Sequence, residues 1–136
     1  MYTNDTNNTN LDRPDPIYKN LSYVITGVLY STHNELGPYA REKQYGDVAE
    51  RIFRERGIKC AREQRIGDSG NIVDIIVDDK IALEFKAKRI LTKEDYYQTQ
   101  RYLQESGLKL GILVNFRDKL IKPKRIVKID NWNKFN

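Results

Sequence analysis

The chain has 136 residues, a length that suggests one compact domain, and carries 24 Lys and Arg against 19 Asp and Glu for a net charge of +5. Apolar residues make up 39% and charged residues 32%, a polar composition that still argues against wholesale disorder. A single cysteine, Cys60, excludes an internal disulfide framework and a Cys-rich zinc site, and no apolar run approaches the ~20 residues that span a bilayer. The N-terminus also lacks a basic-then-apolar signal pattern, so a protein of the reducing cytoplasm with no membrane partner is expected.

Charge is distributed unevenly. Residues 1–40 are net acidic, whereas the segment from Arg117 to Asn136 holds seven cations against Asp118 and Asp130. A basic body invites a polyanionic partner, nucleic acid first among them, although mild basicity also serves solubility alone.

Met1 to Pro16 is rich in Asn, Thr and Asp and poor in large aliphatic residues, so it reads as a flexible tail before a single domain over 17–130. A second short tail is expected over 131–136. Leu21, Val24, Ile25, Val28 and Leu29 recur at helical spacing, predicting a helix to about Glu35 that Gly37-Pro38 ends. Tyr45, Val48, Ala49, Ile52 and Phe53 form the stripe of a second helix, closed by Gly57. A modest strand is expected over Ile58 to Ile66, then a turn through Gly67-Asp68-Ser69-Gly70. Ile72 to Val77 is a β-branched run and Ile81 to Lys88 alternates strictly, so both read as strands. Thr92 with Asp95 three residues on is a variant capping box, opening a helix that Gly107 stops after Ser106. Leu108 to Phe116 alternates as a further strand, and Arg125 to Ile129 adds a short last one. The order α-α-β-β-β-α-β makes a mixed sheet flanked by helices, an α/β (α+β) domain, the natural architecture.

The strand from Lys80 to Lys88 is the most informative stretch. Its alternation sends Ile81, Leu83, Phe85 and Ala87 to one face and Ala82, Glu84, Lys86 and Lys88 to the other. Such a pattern usually marks a solvated polar face. Ala82 argues for close packing there instead, and Asp74 puts a second acid in the interior of the neighbouring β-branched strand. A three-residue loop, Asp78-Asp79-Lys80, would set Asp74 directly opposite Glu84 on the same face, whereas a simple two-residue loop would put them on opposite faces, so the three-residue loop or a bulge is expected. Carboxylates about 5 Å apart repel unless a cation sits between them, and with only hard oxygen ligands at hand Mg²⁺ or Mn²⁺ fits better than zinc. Lys86, two residues on, is placed to orient a water or steady a developing oxyanion.

Asp74 followed by Glu84-Phe85-Lys86 resembles the Asp…(Asp/Glu)-x-Lys signature of the PD-(D/E)XK nuclease superfamily, whose core order α-β-β-β-α-β matches the reading from residue 41 to 116. Gln98-Thr99-Gln100-Arg101-Tyr102 is similar to the Gln-x-x-x-Tyr motif of RecB-type members. Residues from about Tyr23 to Ile126 resemble the small bacterial and archaeal GxxExxY proteins through Asn34-Glu35-Leu36-Gly37-Pro38, Glu42-Lys43-Gln44-Tyr45 and the run from Ser106 to Phe116. The chain departs from that pattern where Tyr39 stands in place of the family's Gly.

The resemblance implies a restriction-endonuclease-like fold and a metal-dependent nuclease. Asp74, Glu84 and the backbone carbonyl of Phe85 would hold Mg²⁺, and Glu42 would complete the shell from the helix. Glu42 lies at i−3 and i−7 from Tyr45 and Ala49, which extends the apolar stripe; the other reading is an acid favoured by the helix N-terminus. Gln98 and Tyr102, at i and i+4, share a helical face and would support the metal's outer shell or touch phosphate; otherwise they are a packed Tyr with a Gln at the rim. Lys88, Arg89, Arg101, Lys122, Lys124 and Arg125 would hold a nucleic-acid backbone, DNA first, with a homodimer a plausible gripping unit. Two rivals remain. One is a non-catalytic nucleic-acid module on the same fold; the other is a scaffold in which Glu84 and Lys86 are only a surface ion pair.

Overall fold

The computed structural model describes residues 17–65 and 70–132. The expected N-terminal tail, the turn over 67–69 and most of the expected C-terminal tail therefore lie outside the described residues.

Two helices open the domain. Helix α1 (Lys19–Leu36) buries Ser22, Ile25, Val28, Leu29 and Thr32, and Gly37 ends it with φ 74° while its N–H reaches back to His33 O at 2.7 Å. That conformation favours glycine, which has no Cβ to clash. Helix α2 (Glu42–Glu55) begins where the Gln44 side chain accepts the Arg41 N–H at 2.9 Å, and it buries Tyr45, Ala49, Ile52 and Phe53.

Five strands form one sheet in the order β1-β2-β3-β4-β5: β1 (Cys60–Arg65), β2 (Ile72–Val77), β3 (Ile81–Lys86), β4 (Leu110–Asn115) and β5 (Lys124–Val127). All neighbours are antiparallel except β3 and β4, which run parallel across the crossover helix α3 (Lys93–Ser106). The expected architecture is present, with the short fifth strand added.

Each sheet face carries a core. Ile75, Val77, Ile81, Leu83, Phe85, Ile112 and Val114 pack with α1 and α2, while Ala82, Leu113 and Ile126 pack with Tyr102 and Leu103 of α3. Tyr45 stacks on Phe116 at 4.2 Å between ring centroids and 7°, and Phe85 meets Phe116 edge-on at 5.0 Å. The Tyr45 hydroxyl donates to Gly37 O and accepts the Ala40 N–H. These contacts tie the start of α2 to the C-terminal ends of β3 and β4. On the other face α3 approaches so closely that a Cβ at Gly111 would lie 2.9 Å from Thr99 Cγ2.

Several strands are shorter than their alternation predicts, because other groups, mostly side chains, take over the ladder's hydrogen bonds. β3 stops at Lys86 because Ala87 N–H goes to Glu42, while Lys88 N–H and C=O go to the side chain of Asn115. β4 starts at Leu110 because Leu108 N–H caps on Ser106 Oγ at 3.1 Å. β5 ends at Val127, and Ile129 N–H turns to Gln100 Oε1 at 2.9 Å. Ile58 N–H still bonds Phe53 O, so β1 begins only at Cys60.

Candidate active site

The β2–β3 hairpin turns through Asp78, Asp79 and Lys80, with Val77 paired to Ile81. Asp78 and Asp79 adopt φ of 53° and 57°, a region that short acidic side chains enter more readily than most, and Lys80 N–H closes the turn on Val77 O at 2.9 Å. The pairing of Ile75 with Leu83 then extends Asp74 toward Glu84 on the face that bears α3. The three-residue loop is thus the one that brings the two acids together.

Beyond Ile75 and Leu83 the strands part, and the Asp74 carboxylate fills the fork by accepting the Phe85 N–H through Oδ2 at 2.6 Å. Burial pushes the Asp74 carboxyl above its ordinary range, against the Phe85 hydrogen bond. Glu84 is only 6% exposed, and burial, then the charge of Asp74, pushes it up to about 8. The two carboxyls are within hydrogen-bonding reach of each other. Two acids so placed, one buried and one half-buried, repel unless they share a proton or a cation.

Lys86 supplies the positive charge. Its Nζ lies 3.2 Å from Glu84 Oε2, 3.1 Å from Gln98 Oε1 and 3.9 Å from Asp95 Oδ1. Burial works against the ammonium, but Glu84, Glu42 and Asp95 outweigh it and raise the Lys86 pKa. Asp95 is the residue that sequence reasoning missed as part of the site. It was visible as the third residue of a helix cap, where it accepts Thr92 N–H at 2.7 Å. It also binds Lys88 Nζ at 2.9 Å while itself 4% exposed, so one carboxylate caps α3 and fixes two lysines of the β3 end. Burial raises the Asp95 pKa, yet the Thr92 and Lys88 bonds dominate and hold it below the usual range.

The remaining expected residues divide. Gln98 joins the site through Lys86. Tyr102, its expected partner, is 1% exposed among Val73, Ala82, Leu103, Leu113 and Ile126, with burial raising its phenol pKa. Its ring is part of the core. Glu42 is exposed and its Oε2 accepts Ala87 N–H at 3.3 Å, one residue beyond β3. Among the described residues no three Asp, Glu, His or Cys side chains gather as a metal cluster, and Glu42 acts on the site through its charge on Lys86.

The cations differ as well. Lys88 is bound to Asp95, and Arg101 to Glu94 at 2.5 Å. Arg125 pairs with Ile112, which places it on the α1 face, opposite to Glu84, where its guanidinium bonds Ser22 Oγ and Ile17 O. It does not join the site. Lys124 pairs with Leu113, itself paired with Glu84, so it lies in the same row of the sheet as the acids; Arg89 and Lys122 are exposed.

The sequence matches the family profile described as the PD-(D/E)XK nuclease superfamily over residues 19–128. The chain belongs to that superfamily, and its mixed sheet flanked by helices has the restriction-endonuclease-like form. A solved structure described as "Crystal structure of SSO0001" is similar at 19% identity, covering 81% of this chain and 68% of that one, with a TM-score of 0.48. No curated protein matches the sequence. No helix among the described residues is long and apolar enough to cross a membrane.

Proposed function

We propose that the protein is a metal-dependent nuclease acting on DNA, with its centre at the β2–β3 fork. The observation that carries this reading is the juxtaposition of half-buried Asp74 with buried Glu84, with Lys86 Nζ 3.2 Å from Glu84 on the same strand face. The pair suits a hard divalent cation: both donors are carboxylate oxygens, and their mutual repulsion is what a cation neutralises. Asp74, Glu84 and the Phe85 carbonyl would hold Mg²⁺ or Mn²⁺, with Glu42 reaching through water from α2. When bound, such an ion supplies Lewis acidity and neutralises charge on a phosphate.

The chain's own residues do the rest. Lys86, held by Glu84, Gln98 and Asp95, is a fixed cationic donor for the attacking water and the phosphate oxygens. Asp74, braced by the Phe85 N–H, stays oriented toward the fork. Lys124, Lys122 and Arg89 offer exposed charge for the flanking backbone, a contact that weakens with salt.

Purified protein is incubated with supercoiled plasmid and with single-stranded DNA in Mg²⁺ or Mn²⁺, beside EDTA and Lys86→Ala controls. Cleavage lost in both controls supports the reading. Salt-sensitive binding without cleavage would assign the fold to a non-catalytic nucleic-acid module.

A further inference from the structure

Across α3 from the acids lies a second concavity. It is a cleft of about 270 Å³ between α3 and β5, walled by Tyr96, Tyr97, Ile126, Val127, Ile129 and Trp132. Tyr97 is 44% exposed, Val127 47% and Ile129 45%, so apolar surface stands open there. The volume falls just below the roughly 300–1,000 Å³ of clefts for drug-sized ligands and suits a single flat ring system.

The wall is preformed. Gln100 donates to Val127 O at 3.1 Å and accepts Ile129 N–H at 2.9 Å, and Gln104 donates to Ile129 O at 2.8 Å. These bonds pin the end of β5 to α3 and occupy the amide that could otherwise read a ligand's edge. What remains is mostly aromatic and apolar area, with Arg125 the charged residue that lines it. Such surface holds any base by its face and discriminates little between bases.

The rim selects the ligand's charge. Lys124 and Lys128 flank the β5 residues of the cleft, and exposed Lys93 sits one turn before Tyr96 and Tyr97. Glu94 in that turn is tied to Arg101, which leaves Asp130 as the acid beside the β5 end. A cationic rim around aromatic walls disfavours a second copy of this basic chain and favours a polyanion with flat rings. Lys124 also links cleft and acids. It lies two residues before Ile126 and two strands from Glu84, a lateral distance of about 10 Å at normal strand spacing.

We infer that the α3–β5 cleft receives an unpaired base of the substrate strand, stacked against Tyr97 and its aromatic neighbours, with the backbone crossing Lys124 toward Glu84. The inference rests on the nuclease reading and deepens it: the substrate is nucleic acid with a single-stranded stretch beside the cleaved phosphate.

Binding measured in EDTA separates the two ideas, because it needs no cleavage. Trp132 is the sole tryptophan, so its fluorescence reports the cleft directly. The probes are a short oligothymidylate and an abasic oligomer of equal length and charge, read by Trp132 quenching and by anisotropy. The expected result is quenching by the thymidine oligomer only, with affinity lowered about tenfold in Tyr97→Ala and kept in Tyr97→Phe, since stacking of one base carries that order of effect. Equal binding of both oligomers overturns the inference, as does a dimer that Tyr97→Ala dissociates, which would give the cleft to a second copy. Plasmid cleavage in Mg²⁺ runs alongside. Cleavage without base-dependent binding sinks the cleft alone, and base-dependent binding without cleavage sinks the nuclease alone.

Discussion

The Asp74 carboxylate accepts the backbone N–H of Phe85 at 2.6 Å, standing in for a strand partner where β2 leaves β3. The bond turns an acid that would be costly inside a β-branched strand into the brace of a fork. Glu84, one residue before Phe85, is thereby held beside Asp74 under the same cover of α3.

That arrangement predicts an unusual dependence of stability on pH. Glu84 titrates at about 8 in the folded chain against an ordinary value of 4.5. Between those values the unfolded chain releases this proton and the native chain keeps it, so the metal-free protein loses stability as pH rises through that window. Below about 4.5 both states are protonated and the penalty vanishes. Mg²⁺ should raise the melting temperature most at the upper end of the window, because binding to the native state alone stabilises it. Glu84→Gln should flatten the profile and abolish the metal response; parallel melts of wild type and variant in EDTA and Mg²⁺ decide the matter.

Asp95→Asn tests the carboxylate that serves both helix and lysines. The amide still accepts the Thr92 N–H but leaves Lys88 unmatched beside Lys86, two ammonium groups then competing for one neighbourhood. Lys88 is partly exposed, so the loss of stability should be about 1–3 kcal/mol, the scale of one lost charge-assisted bond. Cleavage by the folded fraction should fall about tenfold through the displaced Lys86. Unchanged turnover would reduce Asp95 to a cap.

Glu42→Gln keeps an oxygen for the Ala87 N–H and removes only the charge. If Glu42 acts through water on the cation, half-maximal cleavage should need about tenfold more Mg²⁺. Unfolding in urea should stay within about 0.5 kcal/mol of wild type, as for exposed substitutions generally. An unaltered Mg²⁺ titration would leave Glu42 as a helix-end hydrogen-bond acceptor.

Gly111→Ala should destabilise by about 1–3 kcal/mol, since its new Cβ meets Thr99 Cγ2 at 2.9 Å in a tightly packed seam. Thr99→Ser removes that methyl while keeping the hydroxyl bond to Asp95 O. The double variant should recover part of the loss, and a coupling near zero in the denaturation cycle would show that β4 and α3 adjust independently.

Hydrophobic periodicity and caps, both local properties, already placed the helices and strands within a few residues. The parity of Asp78-Asp79-Lys80 was enough to set Asp74 against Glu84, because a strand's side chains alternate with period two. Ala82 announced the close face beneath α3 for the same reason: only a small side chain permits that approach.

What the tertiary structure alone decided concerns groups distant in the chain that packing brings together. Gln98 and Tyr102 share a helical spacing, yet the first reaches Lys86 and the second fills the core, a split set by what α3 packs against at each position. Arg125 falls on the face away from the acids because β5 pairs Ile112 with it, a register that follows from the path of residues 116–123. Asp95 meets Lys86 and Lys88 only once the β3–α3 connection folds back on itself. The reach of Glu42 depends on Tyr45 stacking against Phe116, 71 residues later in the sequence. Local pattern specifies which face a residue takes within its own element; which faces then meet is settled by side-chain packing between elements, and no spacing along the chain encodes it.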